Sequence, residues 1–421
     1  MTAETAVRLG LLRDRQFMLL FGAESISVAG SQIGVVALPL VAILTMRAGA
    51  FEVGLLSAAQ TAAFVLIGLP AGVWVDRMRR RPVLITADLV RAALLLSIPV
   101  AAWLDVLTLV QLYAVALGAG IATVFFEIAS QSYLPALIGR DRLVDANGKL
   151  ETSRSAAQVV GPSVGGWLVA LLTAPVAVIA NAIGFLGSAL LLSRIRAQEP
   201  VPSTADRPSL VQGIRAGLRL VFADRILRLI ALRSALANLA FSALLAVQAL
   251  FLVQDIGLSP GAYGALLAAG AVGGLGGGAL VGPLAKRVGS ARVIWLGPLL
   301  FQPFALLIPL TTAGAGVVFF VVGSFLVSVG VVVYNVSQIS FRQTTTAPDM
   351  LGRMNATMRF LVWGTMPLGG VLGGAMGELF GVRVAVWVGA VGLVLSTLPL
   401  LFSPLVRMRE LPGHGTPDGT S

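Results

Sequence analysis

The chain has no cysteine and a single histidine, and charged residues make up only 12% of it against 57% apolar residues. Without cysteine there are no disulfides, no thiolate catalysis and no cysteine-bound metal, although compartment stays open. The one histidine, His414, stands in a polar C-terminal tail after Pro412 and Gly413, so no imidazole lies in an apolar stretch to relay protons. No carboxylates cluster at ligand spacing and no nucleophile stands beside a base, so neither an enzyme, a metal site nor a cofactor is expected. The shortage of charge, half the usual share of a soluble domain, also excludes most soluble folds, because 421 residues would need charged surface over two or three domains.

What the chain has in quantity is apolar side chain, about 240 residues, with 48 glycines besides. A membrane-crossing helix takes roughly 20 such residues, so the supply matches about twelve spans, and the fold class expected is an all-α membrane protein. Apolar windows broken by charge clusters and Pro/Gly turns give twelve segments, near 17–46, 52–75, 83–104, 107–129, 155–174, 176–193, 227–254, 262–285, 292–311, 314–340, 357–378 and 384–406. The N-terminus carries Arg8, Arg13 and Arg15 without a short apolar region and small-residue cleavage site, so segment one is expected to be retained.

The net charge of +11 does not point to nucleic acid, because the basic residues are single or in short clusters between apolar runs, without aromatic interleaving. They read as topology signals. With twelve crossings, 26 of the 30 Lys and Arg fall on one side, Arg47 and Arg383 on the other, and Arg91 and Arg233 within segments. The positive-inside rule then puts both termini in the cytoplasm of a cell membrane protein.

The one long connection, 194–228, holds Pro200, Pro202, Ser203 and Pro208. It separates an N-terminal six-helix half, 1–193, from a C-terminal half, 229–406, which a tail at 407–421 follows. Residues 211–230, with Arg215, Arg219 and Arg225, suit a basic amphipathic helix on the inner leaflet. The halves read as copies. Gly161-Pro-Ser-Val-Gly165-Gly166 matches Gly369-Gly-Val-Leu-Gly373-Gly374 at an offset of 208, as Asn147 matches Asn355. Gly72-Val-Trp-Val-Asp76-Arg77 matches Gly282-Pro-Leu-Ala-Lys286-Arg287 at 210. Such duplication recurs in secondary transporters with a central site between repeats.

The run Gly72, Asp76, Arg77, Arg80 and Arg81 resembles the G-x-x-x-D-R-x-G-R-R signature of the major facilitator superfamily, with Arg79 where the second glycine is usual. Residues 156–166 resemble the G-P-x-x-G-G element of exporters in that superfamily, with Ala157 where a further glycine is often found. Ala37-Leu-Pro39 and Gly54-Leu-Leu-Ser-Ala-Ala-Gln60 are similar to the macrolide-efflux and enterobactin-exporter branch. The resemblance implies two pseudo-symmetric six-helix halves that rock about a central site. It also implies a cytoplasmic gate latched by Asp76 and Arg80, and a seam between halves at segments two, five, eight and eleven. One departure limits what it brings: Ala114 stands four residues before Gly118, where drug/proton antiporters often have arginine, so coupling cannot run through that arginine.

The residues make physical sense beside the resemblance. Gly72 permits close backbone approach at a helix end, Asp76 can accept from a neighbouring helix N-terminus, and Arg77, Arg80 and Arg81 can pair with carboxylates or lipid phosphates. Glu127, at the cytoplasmic end of segment four, is a further gate partner; topogenic anchoring alone is the plainer alternative for the arginines. Lys286 replaces the aspartate in the second copy, so an asymmetric gate is expected. Glycines every four residues, at 270–282 with Gly274 and Gly278, at Gly369, Gly373 and Gly377, and at Gly161 and Gly165 beside Pro162, form flat strips for helix contact. They are expected at the seam between halves, generic packing being the alternative.

An ionisable group in hydrocarbon is a functional candidate because a central charge costs several kcal/mol unless paired or hydrated. Glu24, with Ser27 and Ser31 at i+3 and i+7, is the leading proton-binding carboxylate; a structural ion pair is the alternative. Asp88 and Arg91 are spaced to pair with each other and can join the gate network. Arg233 can snorkel to the interface or attract an anionic substrate. Ser234, Asn238, Phe241 and Gln248 share a face of segment seven, Tyr334, Asn335 and Gln338 cluster in segment ten, and Gln111 can join them. These suit a largely apolar cavity, with polar bonds between helices as the alternative.

The sequence therefore points to a secondary transporter that exports a small hydrophobic or amphipathic compound, drug-, macrolide- or siderophore-like, by proton antiport. A proton-coupled importer or facilitator of a polar metabolite is the alternative, which a charge-rich cavity would favour. The expected partners are a small-molecule substrate, protons and membrane lipids, without nucleic acid, and the expected state is a monomer.

Overall fold

The computed structural model describes residues 10–11, 13–139, 142–196, 210–347 and 350–410, apart from the side chains of Leu69, Val73, Asp76, Val144, 210–214 and Ala216. Among the described residues the chain is helical, with no strand. Eleven helices are long and apolar enough to cross a membrane. The chain is a multi-pass membrane protein, because in hydrocarbon a backbone must satisfy its own N–H and C=O groups and a helix does so.

Helices occupy all twelve apolar segments. They are Arg15–Thr45, Ala50–Asp76, Arg80–Trp103, Leu109–Ile138, Leu143–Leu171 and Ala174–Ser193, then Arg225–Asp255, Pro260–Val288, Ser290–Leu310, Gly314–Thr345, Leu351–Phe380 and Val382–Leu401. The fifth, of 29 residues, is outside the eleven apolar ones because its first turns carry Asp145, Lys149, Glu151 and Arg154. Segments four and five extend past the expected 129 and before the expected 155. Hydropathy registers only the hydrocarbon part of a helix, whereas hydrogen bonding continues into its polar extension.

Segments one and seven begin and end alike. Asp14 accepts from the backbone N–H of Gln16 and Phe17 at 3.0 and 3.3 Å, and Asp224 from Ile226 and Leu227, both at 2.8 Å. Each carboxylate satisfies donors that the first helical turn leaves open. Both helices finish in a π-helical turn, Val41–Thr45 and Phe251–Asp255. After it the Ala48 N–H bonds to Ala42 O, and the Leu258 N–H to Leu252 O, both at 2.9 Å. The chain then turns at Arg47, φ 54°, and at Gly257, φ 79°.

Contacts divide the chain into two compact units, Met1–Arg207 with Leu252–Ala268, and Pro208–Phe251 with Ala269–Ser421. The end of segment seven and the start of segment eight belong to the first unit, where the sequence reading put them with the second half. The physical reason is a backbone crossing: a Cβ on Gly264 would meet Pro162 O and Gly166 Cα, and one on Gly166 would meet Pro260 O. In the first unit segment one packs on five and six, segment two on four, and segment three on four and six. In the second, segment seven packs on eleven and twelve, and segment ten on nine.

The connection contains a helix, Leu210–Ala223, which ends where Asp224 caps segment seven. Its Gly217 lies against Arg353 O and Thr357, and its Val221 is buried in the core of the second unit, while Arg215 and Arg219 are exposed. It is shorter than the expected 211–230, and Val221 packs on protein while Phe222 is exposed. Residues 197–209 of the expected linker, 411–421 of the tail with His414, and Arg8 lie outside the described residues.

Candidate functional site

The first unit buries charge in its apolar interior. Glu24 lies nine residues into segment one, roughly 13 Å along its axis, and is 7% exposed; Asp88 and Arg91 of segment three are 0% and 3% exposed. Asp88 and Arg91 form an i,i+3 salt bridge, and the guanidinium also donates to Ser27 Oγ at 3.4 Å. Its faces are covered by the Phe126 and Phe185 rings, 4.5 and 4.0 Å from their centroids. Ser130 of segment four donates to the Glu24 carboxylate, while Arg154 and Asp88 act on that carboxylate electrostatically. Ser153 Oγ donates to Ser25 Oγ at 2.6 Å, which holds segment five on segment one. The buried set thus holds two carboxylates, Glu24 and Asp88, and one guanidinium, which pairs with Asp88. Exposed Arg154 or a bound proton can balance the remaining negative charge, the composition that reversible protonation needs.

The arginines after segment two separate in role. Arg81 Nε donates to Leu192 O at 3.0 Å and its terminal nitrogen to Ser193 O at 2.5 Å, so it caps the end of segment six, where carbonyls lack helical partners. Arg77 is exposed and Arg80 half-buried. Glu127 is half-buried and acts electrostatically on Arg91. The Asp76 side chain lies outside the described residues. At Gly72 a Cβ meets nothing within 4 Å among the described residues.

The expected cavity residues are divided between the units, with Ser27, Ser31 and Gln111 in the first and those of segments seven and ten in the second. Ser31 donates to Ser27 O of its own helix at 2.8 Å, and Gln111 donates to Ser97 O and Oγ at 3.1 and 3.2 Å, tying segment four to three. In the second unit Ser234 Oγ shares a hydrogen bond of 2.8 Å with Tyr334 OH. Asn238 donates to Val362 O at 3.3 Å. Gln111, Ser234 and Asn238 therefore serve as polar bonds between helices. Gln248 and Gln338 are each 7% exposed, Phe241 is 38% exposed, and Asn335 is exposed while Tyr334 beside it is buried. Neighbouring helical residues point about 100° apart, so the cluster expected in segment ten splits between two faces. Arg233 is buried too, its guanidinium 3.7 Å from the Tyr334 ring centroid, rather than snorkelled to an interface.

The glycine strips make close crossings within each unit. A Cβ on Gly161 would meet Gln32 and one on Gly165 would meet Ile33 Cα and O; at Gly369 and Gly373 it would meet Leu239 O and Ala243 O. These crossings set segment five on one and segment eleven on seven, so they belong to the packing inside the units. Pro162 is buried too, and its carbonyl lies against Gly264 of segment eight, as expected of it. In segment eight the strip is displaced by one residue. Gly278 faces nothing within 4 Å among the described residues and Gly274 makes ordinary contact with Val332, whereas Gly273 and Gly277 lie against the backbone of Phe325 and Val329.

Ser130, Phe126 and Phe185 complete the charge network, and sequence reasoning missed all three. Only the internal repeat carried a signal, since Phe126 and Tyr334 are 208 apart, the offset of the glycine match, and both receive a guanidinium. Gln302, 0% exposed with neither amide atom bonded among the described residues, was also missed.

The family model for transmembrane secretion effectors matches residues 6–414. The multidrug efflux pump Tap of Mycobacterium tuberculosis is 28% identical over 429 residues, covering 95% of this chain and 96% of that protein. The enterobactin exporter EntS of Salmonella choleraesuis is 28% identical over 418 residues, covering 96% and 97%. Among solved structures, a bacterial homologue of the iron transporter ferroportin in an inward-facing state superimposes with a TM-score of 0.75 at 18% identity, covering 92% of this chain and 98% of that one. That likeness concerns fold.

Proposed function

We propose that this chain, which belongs to the transmembrane secretion effector family of the major facilitator superfamily, exports a small hydrophobic or amphipathic compound by alternating access coupled to proton entry. It is a membrane transporter and not an enzyme. The observation that carries the coupling is the buried set of Glu24, Ser130, Asp88 and Arg91, with one carboxylate more than its guanidinium can pair. Protonation at Glu24 biases the two access states by binding one more tightly. Relatives named as a multidrug efflux pump and an enterobactin exporter support export, and a drug-, macrolide- or siderophore-like substrate.

In this reading twelve helices form two pseudo-symmetric halves that rock about a central site. The matching caps and π-helical turns of segments one and seven support that duplication. Asp76, Arg77 and Arg80 latch the cytoplasmic gate, with Glu127 and the Asp88–Arg91 pair behind them. Both termini are cytoplasmic, and the protein works as a monomer. Since the chain has no cysteine, single cysteines at Ser421 and Asp105 test orientation without a prior background: an impermeant maleimide added to intact cells labels position 105 alone, and labelling of position 421 refutes the topology.

The functional test uses proteoliposomes under an imposed pH gradient, with a hydrophobic cation and a macrolide as probes. Gradient-driven movement present in the wild type and lost in Glu24→Gln is expected. Movement unchanged by the substitution removes Glu24 as the proton carrier, and movement indifferent to the gradient removes proton coupling.

A further inference from the structure

Arg77, Arg79, Arg80 and Arg81 put four guanidinium groups within five positions, more than the gate employs. Arg81 is committed to carbonyls of segment six. Arg77 and Arg79 are exposed, and Arg79 occupies the place where the superfamily signature has glycine.

Against Arg79 opens a cavity of about 530 Å³, within the roughly 300–1,000 Å³ range of ligand sites. Ile121 and Phe125 of segment four and Val83 and Val90 of segment three line it, and Met78 and Arg79 stand at its end. Val90 and Met78 are 42% and 47% exposed, so it is an open crevice on the surface of the first unit. Segments two and three both pack on segment four, and Trp74 of segment two stacks on Phe125, ring centroids 6.1 Å apart.

We propose that this crevice binds one anionic phospholipid, with an acyl chain along Val83, Val90, Ile121 and Phe125 and the headgroup phosphate on Arg79. The apolar walls leave a free phosphate little to bind, since it gains nothing from burying hydrocarbon. A hydrophobic cation meets like charge at the mouth, and a zwitterionic headgroup brings an ammonium towards the same arginine. A phosphate without a compensating cation makes charge-assisted hydrogen bonds with guanidinium and sits where a chain-bearing headgroup lies in a leaflet. The assignment depends neither on the direction of transport nor on Glu24.

Trp74 supplies the readout. The full chain, with the other five tryptophans replaced by phenylalanine, is reconstituted in phosphatidylcholine vesicles and titrated with acyl-brominated phosphatidylglycerol or acyl-brominated phosphatidylcholine, which quench on contact. An about fivefold preference for phosphatidylglycerol is expected, the order of one arginine near a headgroup, falling to parity in Arg79→Gln and retained in Arg79→Lys. Thr86→Phe, which narrows the crevice, is expected to reduce quenching by both lipids. Native mass spectrometry of the unaltered chain checks the same preference as the ratio of the two lipids retained. Equal quenching and equal retention in the wild type overturn the proposal, as does a preference that persists in Arg79→Gln.

Discussion

Arg233 lays its guanidinium over the ring of Tyr334, 3.7 Å from the centroid. The Tyr334 hydroxyl meanwhile bonds Ser234 Oγ at 2.8 Å and Ile230 O at 3.4 Å. The ring covers a cation that is 4% exposed, and cation–π attraction gains strength when both partners are desolvated.

Tyr334 is therefore expected to matter more for its ring than for its hydroxyl. Tyr334→Phe should cost about 1 kcal/mol through the lost hydrogen bonds. Tyr334→Leu should cost roughly 2 kcal/mol more, and adding Arg233→Met should recover part of it. Thermal unfolding of the purified protein in detergent reads all three; equal losses for Phe and Leu would show that the stacking contributes nothing.

The Asp88–Arg91 bridge is buried on both sides, so removing Asp88 leaves a buried guanidinium without its salt-bridge partner, with the half-buried Glu127 still acting on it electrostatically. Asp88→Asn is expected to destabilise by about 3–5 kcal/mol. Combining it with Arg91→Gln should be milder than the single substitution, because the unpaired cation is gone. A double variant no more stable than Asp88→Asn alone contradicts this account.

The glycine crossings predict which substitutions the helices tolerate. A Cβ at Gly373 would press on the Ala243 backbone, whereas at Gly278 it meets open space among the described residues. Gly373→Ala is expected to lower stability by about 1–3 kcal/mol. Gly278→Ala should raise it by roughly 0.5–1 kcal/mol, since alanine loses less backbone entropy in a helix. Melting temperatures that move in the opposite order refute the packing assignment.

Arg47 holds φ at 54° where Gly257, 210 residues later, holds 79°. A side chain with a Cβ is strained there and glycine is not. Arg47→Gly is expected to stabilise the protein by about 0.5–1 kcal/mol, and Gly257→Ala to destabilise it. Stability unchanged in both variants would mean that the strain relaxes in solution.

Much of the fold was legible because hydropathy and charge spacing belong to the chain itself. Apolar runs of sufficient length become helices whatever their neighbours, and all twelve expected segments are helical. Asp88 and Arg91 were legible as a pair for the same reason, three residues being one helical turn. The candidate site was less legible. Glu24 stood out as a carboxylate in an apolar run, but Ser130 is 106 residues away, and no local pattern links the two.

The glycines show the limit most clearly. Spacing of four residues predicted strips along helix faces, and the strips exist. Yet Gly273 and Gly277 make the close contacts in segment eight, one position from Gly274 and Gly278. Gln111, Ser234 and Asn238 read as cavity residues and spend their polar groups on neighbouring helices.

The sequence by itself determined the membrane-spanning helices and the presence of buried charge, because each follows from side-chain polarity counted along one chain. Only the tertiary structure decided which face of each helix is occupied and by which partner. That choice depends on the crossing and rotation of packed helices. A rotation of about 100°, one residue along the helix, separates buried Tyr334 from exposed Asn335.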